Sequence, residues 1–230
     1  MGLLDDLKSK IAAYEKEKFV TDETASFPDT DNSKLTFGNT GLTGEFAFLF
    51  VDIRKSSEIV GTYGLENAAK IYQSFHDINV RVIKDNGGVV RAFDGDRVMG
   101  VFGGNSKNTS AAKAAMQIIW AVRNILNPTF KSTITCGAGI DYGNILITKV
   151  GVGRDSNNND LVWVGNASGY AAHLANKANN GIIISTETYG RLHDSSKLSS
   201  GVDMWTAKNI TLKSGKTISC YETGYEWKII

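Results

Sequence analysis

The sequence predicts an α+β domain with a central, mostly antiparallel sheet and flanking helices. Three observations favour this class. A continuous apolar run, FAFLFVD at residues 46–52, is typical of a central strand covered on both faces. A long helical pattern follows it. Two Gly-containing hairpin signals, at residues 94–95 and 142–143, stand on either side of a second helical pattern.

The first 44 residues predict a helix and a polar arm. Apolar side chains recur at helical spacing over residues 3–19, with Asp5 and Asp6 early and lysines late, as the helix dipole favours. Residues 20–45 are rich in Asp, Thr, Ser and Gly and predict a connecting segment. We therefore expect residues 1–44 to form an appendage that packs on the core or on a partner copy, and residues 45–230 to form the main domain.

Hydrophobic periodicity and turn residues predict the later elements in chain order. The pattern after Lys55 is helical to about Asp85, with a break predicted at the glycines Gly61 and Gly64, and Asn86-Gly87-Gly88 ends it. The resulting order of strands and helices is ferredoxin-like in character. The further predicted strands are 89–93, 97–102, 132–141, 144–150, 161–164, 182–185, 203–211 and 217–223, the further helices are 110–126, 166–178 and 186–193, and 153–160 is a polar loop.

Composition excludes several classes of function. The 230 residues contain 25 Lys+Arg and 24 Asp+Glu, a net charge of +1, which gives no electrostatic reason to expect a nucleic-acid polymer or an anionic membrane as partner. Two cysteines cannot build a disulfide framework, and the three histidines show no zinc spacing. We see no signal peptide and no apolar run long enough to span a bilayer, so we expect a cytoplasmic protein.

Two aspartates at strand ends are candidate metal ligands. Asp52 ends the first core strand and Asp96 follows Gly95 in the hairpin, so adjacent strands would bring both carboxylates to one end of the sheet. Such oxygen ligands suit Mg²⁺ or Mn²⁺ held jointly with substrate phosphates. The alternative is purely structural: Asp before a helix is often an N-cap, and Asp-Gly is often only a turn.

A phosphate site is predicted beside Asp52. The backbone N–H groups of residues 54–57 lie at a helix N-terminus, where the dipole and unsatisfied donors favour anions. Ser56 and Ser57 are helix caps in either interpretation, and contact with substrate phosphate would add to that role.

Several segments together resemble a known family. FAFLFVDIRKSS and RAFDGDRVMGVFG are similar to the two metal-binding motifs of the class III nucleotidyl cyclases, the adenylate and guanylate cyclase family. GAGIDYGNILI resembles the strand-turn-strand motif of that family, and LVWVGNASGYAAHLANKA its tract that ends in a helix. The resemblance extends from about residue 45 to 223, with the motifs in the family's order.

The resemblance implies a reaction and a set of residues. Asp52, Asp96 and the backbone carbonyl of Ile53 would bind two divalent cations, Mn²⁺ or Mg²⁺. The substrate would be a nucleoside triphosphate whose 3′ hydroxyl attacks its own α-phosphorus, giving a cyclic monophosphate and pyrophosphate. Because family active sites lie between two catalytic domains, the resemblance also implies a homodimer with shared sites. A triphosphate-binding lysine is implied near the C terminus, where Lys208, Lys213 and Lys216 are the candidates.

The sequence departs from the family at the positions that recognise the base, orient the ribose and stabilise the transition state. Positions that read a purine in the family hold Ala92 and either Leu161 or Val162, none of which can make a charged contact. The family's ribose-orienting Asn aligns with Gly169. The Arg that stabilises developing charge aligns with His173, which we predict to be catalytic as a cationic replacement.

Three interpretations remain open. The segments DGDRVM, NDLVWVG and YAAHL resemble the Pycsar uridylate and cytidylate cyclases of bacterial anti-phage defence, which implies UTP or CTP as substrate and a separate effector protein that reads the product. A purine cyclase and an inactive nucleotide-binding homologue are the alternatives. The sequence does not choose between uracil and cytosine.

Other candidate substrate contacts are Phe50 and two arginines. Phe50 shares a strand face with Asp52 at period two and could present its ring to the base or ribose, although a core role fits equally. Arg97 is predicted to be either a surface residue or a contact on the phosphate side of the hairpin. Arg91 lies an odd number of residues from Asp96 and should face away unless the strand bulges.

Overall fold

The computed structural model describes residues 2–151, 158–211, 215 and 217–230, arranged in two compact units. The larger unit contains residues 46–143 and the described part of 166–230, and the smaller unit contains the described residues of 1–45 and 144–165. Most of the predicted loop at 153–160, and the candidates Lys213 and Lys216, lie outside the described residues.

The smaller unit combines the N-terminal segment with a later stretch of the chain. Its elements are α1 (Leu3–Lys16), β1 (Val20–Glu23), the beginning of β2 (Thr40–Ile53), the end of β5 (Cys136–Gly151) and β6 (Asn159–Val164). Strand β1 runs parallel to the start of β2, with Val20 opposite Thr40, and β6 runs antiparallel to the end of β5, with Leu146 opposite Val164.

The larger unit holds the remaining elements. Gly64 separates a short helix from the first of the two longest helices, and a β-hairpin separates the two longest helices from each other. In chain order the elements are the remainder of β2, α2 (Ser56–Tyr63), α3 (Leu65–Asp85), β3 (Val89–Asp94), β4 (Arg97–Phe102), α4 (Lys107–Ala121) with a π-helical turn (Val122–Leu126), α5 (Asn127–Phe130), the start of β5, α6 (Asn166–Lys177), β7 (Ile182–Ser185), α7 (Thr186–Tyr189), α8 (Asp194–Lys197), β8 (Leu198–Ser199), β9 (Val202–Asp203), β10 (Thr206–Thr211) and β11 (Thr217–Thr223).

The sheet of the larger unit confirms the predicted α+β class. Its strands follow the order β10-β11-β7-β5-β2-β4-β3. The β10/β11, β11/β7, β2/β4 and β3/β4 pairs are antiparallel, while β5 and β7 are parallel. The break predicted at Gly64 occurs before α3, where the φ of 77° suits glycine and few other residues. The break predicted at Gly61 is wrong, because Gly61 lies within α2.

Helices cover both faces of this sheet. Alternate residues of β2, such as Leu49 and Val51, belong to the main core together with residues of α3 and α4. On the opposite face, α6 packs directly on β5. A Cβ on Gly139 would lie 2.1 Å from the backbone nitrogen of Ala175 and 2.2 Å from the carbonyl oxygen of Ala171. Glycine is therefore required for this close helix–strand contact.

The structure corrects three details. Tyr142-Gly143 is not a hairpin, because β5 continues through it from Cys136 to Gly151 and pairs with different strands along its length. The polar arm contains β1, and β2 begins at Thr40 instead of Phe46. The segment predicted as one helix at 186–193 contains α7 and is followed by a separate helix, α8. Among the described residues, every helix is too short or too polar to traverse a lipid bilayer.

Candidate functional site

Strand β2 delivers Asp52 to the end of the sheet. Its residues alternate between the two faces, so Phe50 and Asp52 lie on the face opposite Val51 and Ile53. Phe50 is half-buried and lies opposite Met99 of β4. The structure thus places Phe50 next to Asp52 along one strand face, as the period of two predicts.

A sharp turn joins β2 to α2. The backbone N–H of Arg54 donates to the Thr135 carbonyl at 2.8 Å, which continues the pairing of β2 with the chain entering β5. Lys55 then adopts a left-handed conformation, φ 56°, uncommon for a residue other than glycine. The N-cap of α2 is Lys55 itself and makes no side-chain capping bond, so Ser56 and Ser57 are the first residues of the helix and not its caps.

The β3–β4 hairpin delivers Asp96. Gly95 and Asp96 form the turn, with Asp94 opposite Arg97. His76 of α3 supports the turn, since its Nε2 donates to the Gly95 carbonyl at 3.0 Å and its ring meets Phe93 edge-on. The helix therefore holds the loop that presents Asp96.

Asp52 and Asp96 come together, as predicted. Burial raises the pKa of Asp96, and the neighbouring Asp52 carboxylate raises it further; the Ser56 hydroxyl partly offsets the rise. Oδ2 of Asp96 is buried and has no hydrogen-bond partner among the described residues. Two close carboxylates with an unsatisfied buried oxygen fit a divalent cation, whose positive charge would relieve their repulsion.

The number of side-chain ligands is small. Within the described part of the chain, no group of three or more His, Cys, Asp or Glu side chains is placed to hold a metal ion. A cation at this position would therefore depend on the two aspartates, on backbone oxygen and on oxygens brought by a substrate, which is the coordination that Mg²⁺ accepts with phosphates.

Two arginines surround Asp52. Arg97 Nη2 donates to Asp52 Oδ2 at 2.9 Å, and Arg54 Nη2 lies 3.1 Å from the same oxygen. Asn176 of α6 joins them, because its Oδ1 accepts from Arg97 and its backbone carbonyl accepts from Arg54. The Nε atoms of both arginines are buried without a hydrogen-bond partner among the described residues. These guanidinium groups therefore retain donors that suit phosphate oxygens.

Sequence reasoning missed Arg54, Asn176 and Tyr72. The Tyr72 hydroxyl donates to the Ser56 carbonyl at 3.2 Å, and its pKa is raised by burial and then by the charge of Asp96. Arg54 could have been found from its position within the segment that resembles the family's first metal-binding motif. Nothing in the local pattern marks Tyr72 or Asn176, because their proximity to the site arises from helix packing.

The remaining predicted residues lie in α6, β2, β3 and β10. His173 lies half-buried in α6, one helical turn before Asn176, and Ile53 is the last residue of β2. The register of β3 against β4 shifts between Val90 and Ala92, so a bulge does occur at Arg91. Lys208 in β10 pairs with Glu222 of β11.

Comparison with known proteins adds independent information. No family model matches the sequence. The uridylate cyclase of Burkholderia cepacia is 36% identical over 215 residues, 91% of this chain and 93% of that protein. The uridylate cyclase of Xanthomonas perforans is 36% identical over 236 residues, which span the full length of both chains.

Solved structures share the fold. The guanylyl cyclase Cya2 superimposes with a TM-score of 0.69 at 16% identity, covering 81% of this chain and 95% of that one. The adenylyl cyclase CyaB from P. aeruginosa gives a TM-score of 0.67 at 18% identity, covering 80% and 95%. With 36% identity along whole uridylate cyclases and the fold of the adenylyl and guanylyl enzymes, the chain belongs to the class III nucleotide cyclase family, in the group of the uridylate cyclases.

Proposed function

We propose that this nucleotide cyclase converts UTP to 3′,5′-cyclic UMP and pyrophosphate. The observation that carries the proposal is the convergence of Asp52 and Asp96, with an unpartnered carboxylate oxygen among the described residues, in a chain 36% identical to two uridylate cyclases. The 3′ oxygen would form a bond to the α-phosphorus, and the bond from that phosphorus to the pyrophosphate oxygen would break. CTP is the alternative substrate.

Asp52, Asp96 and the Ile53 carbonyl would hold two divalent cations, Mg²⁺ or Mn²⁺. Bound there, the cations would favour ionisation of the 3′ hydroxyl and neutralise the triphosphate. The two guanidinium groups that pair with Asp52, those of Arg54 and Arg97, would donate to the triphosphate, and so would the N-terminal amides of α2 with the Ser56 and Ser57 hydroxyls.

The remaining roles rest on the family resemblance. Phe50 would pack against the ribose or base from the strand face that carries Asp52. The active enzyme would be a homodimer, and His173 of the partner subunit would donate to the charge that develops on the phosphoryl oxygens. A guanylyl cyclase domain among the structural neighbours is described as a non-canonical dimer, and another was solved in complex with GTP, which supports a nucleotide substrate.

A pyrimidine substrate is favoured by the positions where purine cyclases carry polar readers. Ala92 in β3 is exposed, Leu161 in β6 is buried and Val162 is exposed. None of these side chains can form a hydrogen bond with the edge of a purine. We further propose that the cyclic product is a signal in bacterial anti-phage defence, which a separate effector protein recognises.

A substrate panel tests this function. The purified protein is offered UTP, CTP, ATP and GTP separately with Mn²⁺ or Mg²⁺, and the cyclic products are identified by mass spectrometry. We expect cyclic UMP as the main product. Preferential turnover of ATP or GTP would contradict a pyrimidine cyclase, and nucleotide binding without turnover of any triphosphate would identify an inactive homologue.

Replacement of Asp52 tests the site within the same assay. Asp52→Asn keeps the size of the side chain but removes its charge, and we expect UTP turnover to fall at least about 100-fold. Asp77→Asn is the matched control, because Asp77 is exposed in α3 and pairs only with Arg81 among the contacts described. An Asp52→Asn protein with full activity would remove this residue from the metal site.

A further inference from the structure

Helix α1 is largely exposed to solvent. None of its residues is buried, and Leu3, Leu4 and Ile11 have exposed fractions of 76%, 63% and 64%. The helix is nevertheless firmly joined to the start of β2, since the Asn39 side chain donates to the carbonyls of Tyr14 and Glu17 at 2.7 and 2.6 Å. It is therefore an anchored helix whose apolar side chains face solvent.

Four large apolar residues of α1 have the spacing of a coiled-coil seam, and Leu3 falls beside it at a g position. Leu4, Leu7, Ile11 and Tyr14 follow each other at intervals of three, four and three residues, which are the a and d positions of two heptads. Such a seam is narrower than the apolar face of a helix packed on a globular core. This pattern indicates a helical partner.

A helical partner would stabilise α1. Isolated helices shorter than about 12–15 residues are marginal in water, and α1 has 14 residues with no buried side chain. Each large aliphatic side chain that leaves water contributes favourably relative to exposure, so covering the seam would stabilise the helix.

The charged residues beside the seam favour a parallel pair of α1 helices over an antiparallel pair. With Leu4 at a, Lys8 and Glu15 occupy e positions and Lys10 a g position. In a parallel pair of α1 helices, Lys10 faces Glu15 of the partner subunit, and the reciprocal ion pair forms by symmetry. In a fully overlapping antiparallel pair, Lys8 would instead face Lys8 of the partner subunit and Lys10 would face Lys10 of the partner subunit, which is repulsive.

We propose that α1 pairs in parallel with α1 of a second copy of this chain, forming a short coiled coil that strengthens the dimer. Ile at a and Leu at d suit a two-stranded arrangement, as Ile11 and Leu7 provide. Two such short helices bury less surface than a standard protein interface, so the coiled coil supplements a dimer contact made elsewhere. The proposal concerns the interface alone and does not require UTP turnover.

Cysteine crosslinking tests the pairing and its direction. Leu4→Cys places one thiol at a core position, where the two copies face each other only in the parallel arrangement; antiparallel pairing separates them by about 15 Å along the axis. Ser9→Cys is the control, because position 9 points away from the seam. The chain's own Cys136 and Cys220 are buried. Under mild oxidation we expect a covalent dimer from Leu4→Cys and none from Ser9→Cys. Equal crosslinking of the two variants, or none from Leu4→Cys, would overturn the proposal.

Charge exchange tests the same contact in solution. We expect Lys10→Glu to raise the dimer dissociation constant several-fold in analytical ultracentrifugation, because it replaces an ion pair with two carboxylates facing each other across the seam. The double variant Lys10→Glu/Glu15→Lys should restore the wild-type constant. Ile11→Asp should raise it by about tenfold or more, and Ser9→Asp should not. An unchanged dimer with Ile11→Asp, or α1-dependent binding to anionic lipid vesicles with an unchanged dimer, would overturn the proposal and leave the proposed cyclase activity untouched.

Discussion

The charge of a single carboxyl group connects the stability of this protein to its proposed function. Asp96 is held where burial and the Asp52 carboxylate disfavour its ionised form, which raises its pKa. Such a position costs folding free energy at neutral pH, and it is retained at sites where a cation or substrate makes use of the charge. Arg54 and Arg97 stabilise the Asp52 carboxylate, but Oδ2 of Asp96 has no hydrogen-bond partner among the described residues.

The pH dependence of stability tests this interpretation of Asp96. Since the folded-state pKa lies above the unfolded value, the native protein loses stability as pH rises from the ordinary value of 3.8 through the folded pKa. Asp96→Asn removes this loss, so in EDTA at neutral pH we expect a melting temperature a few degrees above that of the wild type, with the difference vanishing in acid. Asp77→Asn serves as the exposed control. A difference between Asp96→Asn and wild type that is constant from acid to neutral pH would refute the assignment.

Divalent cations with a nucleotide should reverse the order of the melting temperatures of the wild type and Asp96→Asn. A ligand that binds only the native state raises its stability in proportion to the logarithm of ligand concentration above the dissociation constant. We expect millimolar Mn²⁺ with a non-hydrolysable UTP analogue to raise the melting temperature of the wild type and to have much less effect on Asp96→Asn. Equal stabilisation of both proteins would place the cations elsewhere.

At the scale of elements, the close packing of α6 on β5 positions the Asn176 contacts. Gly139 allows the helix backbone to approach the strand, and Asn176 then reaches both arginines that pair with Asp52. Gly169, near the start of the same helix, has no atom near the position of a Cβ. Gly139 is therefore needed for the close contact of α6 with β5, whereas Gly169 is not needed for packing, although both belong to motifs that resemble the family.

Matched alanine substitutions distinguish these two glycines. Gly139→Ala forces a Cβ into backbone atoms of α6, and we expect a loss of about 3 kcal/mol in the free energy of unfolding. Gly169→Ala meets open space and reduces the backbone entropy of the unfolded chain, so a gain of about 0.5–1 kcal/mol in the free energy of unfolding is expected. Denaturant titration of both variants gives the comparison. A tolerated Gly139→Ala would show that α6 can move away from the strand at little cost.

At the scale of the whole molecule, the proposed shared active sites can be tested by complementation. Asp52→Asn and His173→Ala should each be inactive as homodimers. Mixed after dissociation, half of the dimers are heterodimers, and each contains one intact site, so we expect about a quarter of wild-type activity. The matched mixture of Asp52→Asn with Asp96→Asn, both in the same half-site, should recover none. Absence of rescue in verified Asp52/His173 heterodimers would contradict a shared site or a role for His173.

The sequence by itself determined the α+β class and most element boundaries, and it predicted that Asp52 and Asp96 would lie at one end of the sheet, because hydrophobic period, turn residues and strand-end aspartates are local signals. It predicted a hairpin at Tyr142-Gly143 that the structure replaces with one long strand, since strand continuity depends on which partners are available along the strand. It also missed Arg54, Tyr72 and Asn176. The last two approach the aspartates only through the packing of α3 and α6, which joins residues distant in the chain. Tertiary structure alone decided that Asp52 is paired with two arginines and that the apolar seam of α1 remains exposed, because both depend on what the fold does or does not place beside a side chain.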